Sequence, residues 1–145
     1  MVRIFFIALL LLPHLLLSQN PSPTGRWRTI DDETGKPRSV IVIWEESGVL
    51  KGKIEQLFLQ EDEDPDPLCD KCKGDFKDQP IIGMTILNDL KRSANQWKGG
   101  TIMDPDNGKL YNCKIEVIDN GLRLKVRGFI GFSLLGRTQY WEKVE

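Results

Sequence analysis

The chain has 145 residues, a formal net charge of −1 and one histidine, His14. Near-balanced charge leaves no electrostatic footprint for nucleic acid, so no nucleic-acid partner is expected. His14 lies in an apolar N-terminal stretch that reads as a removable leader, so the remaining domain has no imidazole. That excludes Ser–His and Cys–His nucleophile pairs and histidine-bound zinc, and the sequence predicts no catalytic residues, no metal and no cofactor.

The leader begins Met1-Val2-Arg3, one positive charge, and continues through Ile4-Phe5-Phe6-Ile7-Ala8 and Leu9 to Leu12. Pro13 interrupts the run before Leu15-Leu16-Leu17-Ser18. A membrane-spanning helix needs about 20 apolar residues, and this stretch is shorter and broken. Charge, apolar run and small residue in that order predict an export signal over residues 1–18, the alternatives being an uncleaved anchor or a buried helix. No cysteine follows the expected cut, which disfavours a lipid anchor. Loss of Arg3 takes the formal charge from −1 to −2. The remaining residues, 19–145, 127 in all, suit a single domain with no further membrane span.

Downstream, alternation and turn residues dominate. Gly25 to Ile30 reads as a first strand, followed by a turn at Asp31-Asp32-Glu33-Thr34-Gly35-Lys36. Val40 to Trp44 is β-branched and aromatic, hence a second strand. Glu46-Ser47-Gly48 turns the chain into Val49 to Leu59, where Leu50, Ile54 and Phe58 are expected to share a face. Glu61 to Pro67 is acidic and proline-bearing, a solvated loop. Ile81 to Leu87 is a strand or a short helix running into Asn88-Asp89-Leu90, and Trp97 to Met103 is another short element. Asp104-Pro105-Asp106-Asn107-Gly108 is a turn.

The clearest pair follows. Tyr111, Cys113, Ile115 and Val117 alternate with Asn112, Lys114 and Glu116. After Asp119-Asn120-Gly121, Leu122, Leu124 and Val126 alternate with Arg123, Lys125 and Arg127. Each strand thus has one dry face and one wet face. Arg137 to Lys143 is the closing strand. About eight strands joined by short turns predict an all-β fold, a small antiparallel up-and-down barrel, with an open two-sheet sandwich as the alternative.

Cys69-Asp70-Lys71-Cys72 lacks the strand-then-helix setting of a thioredoxin-type motif, and zinc lacks ligands beyond Cys113 and carboxylates. A disulfide is the expectation. The local bridge Cys69–Cys72 leaves Cys113 buried on the dry face of its strand; a bridge to Cys113 is the alternative. Asp31, Asp32 and Glu33, and Asp104 with Asp106, fall in turns, where Asp caps backbone groups, rather than in a glycosidase pair or a full calcium loop. Trp27, Trp44, Trp97 and Trp141 are core candidates.

Gly25-x-Trp27 near the first strand resembles the signature of lipocalins and related calycin barrels. There the indole lies across the closed end and a last-strand basic residue packs over it, which assigns barrel closure to Trp27 and Arg137. The blocks Gly25 to Asp32, Gly35 to Ser39, Cys69 to Gly74, Pro80 to Met84, Gly100 to Pro105, Arg127 to Gly131 and Gly136 to Gln139 together resemble a small exported bacterial family, domain of unknown function 2147. That resemblance covers nearly all of residues 19–145. It implies a lipocalin-like barrel and a secreted or periplasmic location, and carries over no catalytic or binding residue.

The resulting expectation is an exported binding protein holding a small, mainly apolar molecule in a cavity lined by Trp44, Phe58, Tyr111, Ile115, Leu124 and Val126. An eight-stranded barrel is near the width at which side chains fill the middle or leave room for one ligand. The rivals are an interaction module with a filled barrel and a thiol-redox protein using Cys69 and Cys72.

Overall fold

In the computed structural model, which describes residues 20–132 and 134–145, the chain forms eight antiparallel strands closed into a barrel in sequence order. They are β1 (Gly25–Ile30), β2 (Pro37–Glu46), β3 (Val49–Leu57), β4 (Thr85–Ser93), β5 (Gln96–Asp104), β6 (Lys109–Ile118), β7 (Arg123–Phe129) and β8 (Gly136–Lys143). Closure comes from β1 against β8, with Trp27 opposite Lys143 and Arg28 opposite Glu142. The sandwich alternative is thereby set aside. Residues 1–18, read as an export signal, lie outside the described residues. Among the described residues no helix is long and apolar enough to cross a membrane.

Most strands form where alternation and turn chemistry place them; the element expected at Ile81 to Leu87 instead begins at Thr85 and runs on to Ser93. Asn120 and Gly121 take positive φ between β6 and β7, as that turn requires. Asn88-Asp89-Leu90 is strand rather than helix, because Leu87 and Leu90 pack inside β4 while Asn88 pairs with Thr101 of β5.

The two ends of the barrel differ. The base carries the tight connections β2–β3, β4–β5 and β6–β7 and is filled by Trp27, Leu50, Leu90, Ile115 and Leu124, all fully buried. The segment before β1 crosses it: Pro23 is buried, and its carbonyl accepts the Trp27 Nε1–H bond at 2.8 Å. The other end carries the β1–β2, β3–β4, β5–β6 and β7–β8 connections, including the long segment 58–84.

The closure signature divides accordingly. Trp27 plugs the base, but Arg137 does not cover it. Arg137 opens β8 opposite Gly128, six residues before the partner of Trp27, or roughly 20 Å along the strand. It pairs instead with the Asp32 carboxylate at the open end. The physical reason is direction: an antiparallel β8 begins where β1 ends. Trp27→Ala is therefore expected to cost about 3–5 kcal/mol, as for a buried large aromatic. Arg137→Ala is expected to cost under about 1 kcal/mol, as for an exposed ion pair. Urea denaturation of the two variants checks the difference, and equal losses would restore a closure role for Arg137.

Candidate functional site

Beyond the filled base, the barrel opens into a cavity of about 840 Å³. Much of its wall is apolar, including Ile41, Ile54, Ile86, Met103, Val126 and Trp141. The volume lies within the range of small-molecule pockets. Gly128 of β7 also faces it, and the missing side chain leaves part of the space. A Cβ there would make ordinary contact, 3.5 Å from Tyr111 Cβ.

Polar groups enter the wall as satisfied pairs. Thr29 Oγ1 and Ser39 Oγ lie 2.6 Å apart, and the Ser39 N–H donates to Thr29 Oγ1. Gln139 accepts the Trp141 Nε1–H bond at 3.0 Å. Nearer the mouth, Asn107 Nδ2 donates to Tyr111 Oη at 2.9 Å and to Asp104 Oδ2. The Tyr111 hydroxyl keeps a proton of its own to donate.

The rim is charged and internally paired. Arg38 bonds Glu63 at 3.0 Å and lies 3.9 Å from Asp106. The Gln60 N–H, then Arg38, holds the Glu63 carboxyl below its ordinary value. Asp31 caps its own turn, accepting from the Glu33 and Thr34 N–H groups and the Thr34 hydroxyl. Those bonds, the Thr34 N–H first, lower its pKa. Asp104 is the exception: burial pushes its carboxyl up, against the opposing bond from the Asp106 N–H. The turn reading of these carboxylates thus describes both clusters, and no metal-holding group of His, Cys, Asp or Glu occurs among the described residues.

Segment 58–84 folds over one side of the mouth and contributes Leu59, Pro67, Leu68 and Ile81 to the lining. Cys69 and Cys72 form a disulfide there, and both are buried. Cys72 Sγ rests 3.6 Å from Met103 Sδ, and Cys69 Sγ the same distance from the Pro105 carbonyl. Gly108 in the β5–β6 turn has φ +71°, and a Cβ would collide with the Lys71 carbonyl, so the bridged loop seats directly on that turn. By chain entropy the short bridge contributes about 2 kcal/mol. Cys113 is a buried free thiol, pushed up to about 12 by desolvation.

Of the residues read from the sequence as ligand-binding, Tyr111 and Val126 line the cavity. Ile115 and Leu124 are inward-facing but belong to the solid base below it. Trp44 and Phe58 are elsewhere. In β2 the inward set is Ser39, Ile41 and Ile43, so Trp44 takes the opposite parity and its indole N–H reaches Glu46 outside. In β3 the register passes from Gln56 opposite Val40 to Ile54 opposite Ile41, leaving Glu55 as an extra residue. That bulge flips the parity, so Leu57 and Leu59 line the cavity while Phe58 is 37% exposed. Ile41, Ile86, Met103 and Trp141 were missed as lining. The alternation Thr29, Ser39, Ile41 across β1 and β2 was the available signal.

A closed eight-stranded barrel, sealed at one end and hollow at the other, is a lipocalin-like fold. Within that class, the chain belongs to the family described as "Uncharacterized protein conserved in bacteria (DUF2147)", which matches residues 25–143. A solved Helicobacter pylori structure, protein HP1028, described as belonging to the lipocalin family, aligns with a TM-score of 0.72. The alignment covers 84% of this chain and 82% of that one at 18% identity, a likeness of fold. No curated protein matches the sequence.

Two outcomes follow from the site chemistry. Alkylation at pH 8 is expected to spare Cys113 until the protein is unfolded, and non-reducing peptide mapping is expected to recover Cys69 joined to Cys72. A Cys113 cross-link would contradict this. For Asp104, the folded pKa lies above the unfolded value, so its favourable contribution is full below the unfolded value. It is lost as pH rises through the folded value. Asp104→Asn is therefore expected to gain stability relative to the parent at pH 7 and to lose that advantage near pH 3. Urea titrations at the two pH values read the difference.

Proposed function

We propose that the protein binds a small, mainly apolar molecule with a polar end, tail first, in the open half of the barrel. The observation that carries this is the cavity of about 840 Å³ with an apolar floor and polar groups concentrated toward its mouth. Burial of an apolar body against Ile41, Ile54, Ile86, Met103, Val126 and Trp141 supplies the driving force. Tyr111 Oη, oriented by Asn107, supplies a donor for the polar end. The hollow upper half favours this over an interaction module with a filled barrel. It also fits a binding role better than a catalytic one, since the wall polar groups are already paired with one another.

The thiol-redox alternative has less support. Cys69 and Cys72 are 0% and 3% exposed, and a dithiol partner needs access to a sulfur. Their bond supports a structural role. We also propose export, supported by the order of charge, apolar run and small residue in residues 1–18 and by a disulfide, which persists in oxidising compartments.

Titration with a fluorescent fatty-acid analogue tests the cavity. Gly128 has no positive φ, and a Cβ there would make only ordinary van der Waals contact with Tyr111 and Ile102, so Gly128→Leu is expected to fold and to fill the site. Saturable binding by the parent, weakened about tenfold or more in Gly128→Leu, is the expected result, given roughly 1.4 kcal/mol per tenfold. A smaller loss is expected in Tyr111→Phe. Equal binding by parent and Gly128→Leu would sink the proposal.

A further inference from the structure

The β7–β8 connection is an apolar knob in water. Ile130, Phe132, Leu134 and Leu135 are 59%, 81%, 89% and 71% exposed. The hairpin is closed by its own backbone, the Leu135 N–H donating to the Phe132 carbonyl and the Ile130 N–H to Leu135. Four large apolar side chains held out by one short connection are not scattered surface residues; such a cluster marks an interaction site. Ile130 and Leu135 also line the cavity, so the apolar surface runs from the tip into the barrel.

The wall beneath the knob carries a second irregularity. Lys91, Lys98, Lys114 and Arg127 face one another in register across β4, β5, β6 and β7. Like charges in directly opposed positions weaken a sheet; within the row, Lys114 Nζ lies 5.4 Å from the Phe129 ring centroid and Arg127 donates to Thr138 Oγ1. Arg127 is two residues from Phe129, about 7 Å along β7. The acidic run Glu61 to Asp66 rises from the β3–β4 connection, diametrically across the mouth in an eight-strand order.

We propose that the β7–β8 hairpin docks the protein on an anionic lipid bilayer, with Phe132, Leu134 and their neighbours entering the acyl boundary and Lys98, Lys114 and Arg127 meeting the phosphates. Interfacial elements bury their apolar side about 5–10 Å deep, and Arg127, about 7 Å behind Phe129 along β7, heads a cationic row that continues through Lys114 to Lys98. Each cation near an anionic surface adds attraction that salt weakens. A protein partner fits less well: four side chains on one hairpin are few beside the roughly 20–30 residues a side of a stable interface. The proposal goes beyond ligand binding in the cavity and does not require it.

The test is co-sedimentation of the full-length protein with vesicles of phosphatidylcholine alone or with about one-third phosphatidylglycerol. The parent is expected to pellet with the anionic vesicles, and more weakly as salt rises. Phe132→Ser/Leu134→Ser and Lys98→Glu/Lys114→Glu are each expected to lower partitioning about tenfold or more, with circular dichroism unchanged. Residues 1–19 are common to all variants, so a difference between them reports on the hairpin and its wall. In Phe132→Trp, fluorescence is expected to shift to the blue and to be quenched by brominated acyl chains. Three results would overturn the proposal: no binding by the parent, binding unchanged in the Ser variant, or concentration-dependent self-association that Phe132→Ser abolishes. Analogue titration of the same Ser variant without vesicles reads the cavity separately, and its binding there is expected to match the parent.

Discussion

Burial of the Trp27 indole at the base of the barrel is the interaction on which the rest depends. An isolated eight-strand meander has two raw edges, and here they meet through a short register of β1 on β8. Trp27 sits in that register, fully buried, with its one polar atom satisfied by the Pro23 carbonyl. Its ring fills the volume in which Leu50, Ile115 and Leu124 converge, and the segment before β1 closes the floor. Because the base is dense and self-sufficient, the opposite end need not be. The space there can remain open at the cost of a few unmade contacts, since stability is drawn from the other half.

The open end is organised by satisfied polar groups. Arg38 with Glu63, Arg137 with Asp32, and Asp31 with its own turn neutralise or cap one another. Rim ion pairs of this exposure contribute little to stability, so their value lies in holding the connections around the mouth. The disulfide adds a firmer tie, pinning segment 58–84 against Met103 and the β5–β6 turn. Charge is also distributed unevenly: the acidic run lies over β3–β4, whereas the cationic row crosses the outside of β4 to β7 toward the apolar β7–β8 hairpin. That asymmetry gives the mouth two different faces.

Much of the fold was legible because strand parity is local information. The alternation from Tyr111 through Val126 correctly put Cys113, Ile115, Leu124 and Val126 inside but wrongly included Leu122, which is 64% exposed before β7 begins, and the Cys-x-x-Cys spacing anticipated the local bridge. The site was only partly legible, for two physical reasons. Inward-facing does not mean cavity-lining: height along the barrel decides that, and Ile115 and Leu124 are low while Tyr111 and Val126 are high. A bulge is the second reason. The extra Glu55 reverses parity within one strand, moving Phe58 out and Leu57 in, and nothing in the apolar pattern announces it. Trp44 misleads differently, as a large aromatic whose strand presents Ile41 and Ile43 to the core instead. The role given to Arg137 failed on strand direction, which the eight-strand order itself contained.

The central claim is that the upper half of the barrel holds a small molecule that a side chain at position 128 displaces. Native mass spectrometry of the parent and of Gly128→Leu, each purified gently from the protein's own host, measures this without assuming the ligand. The account predicts added mass on the parent, released on unfolding, and a bare Gly128→Leu chain of normal fold. The same adduct on both proteins, or a parent that emerges bare, would contradict it.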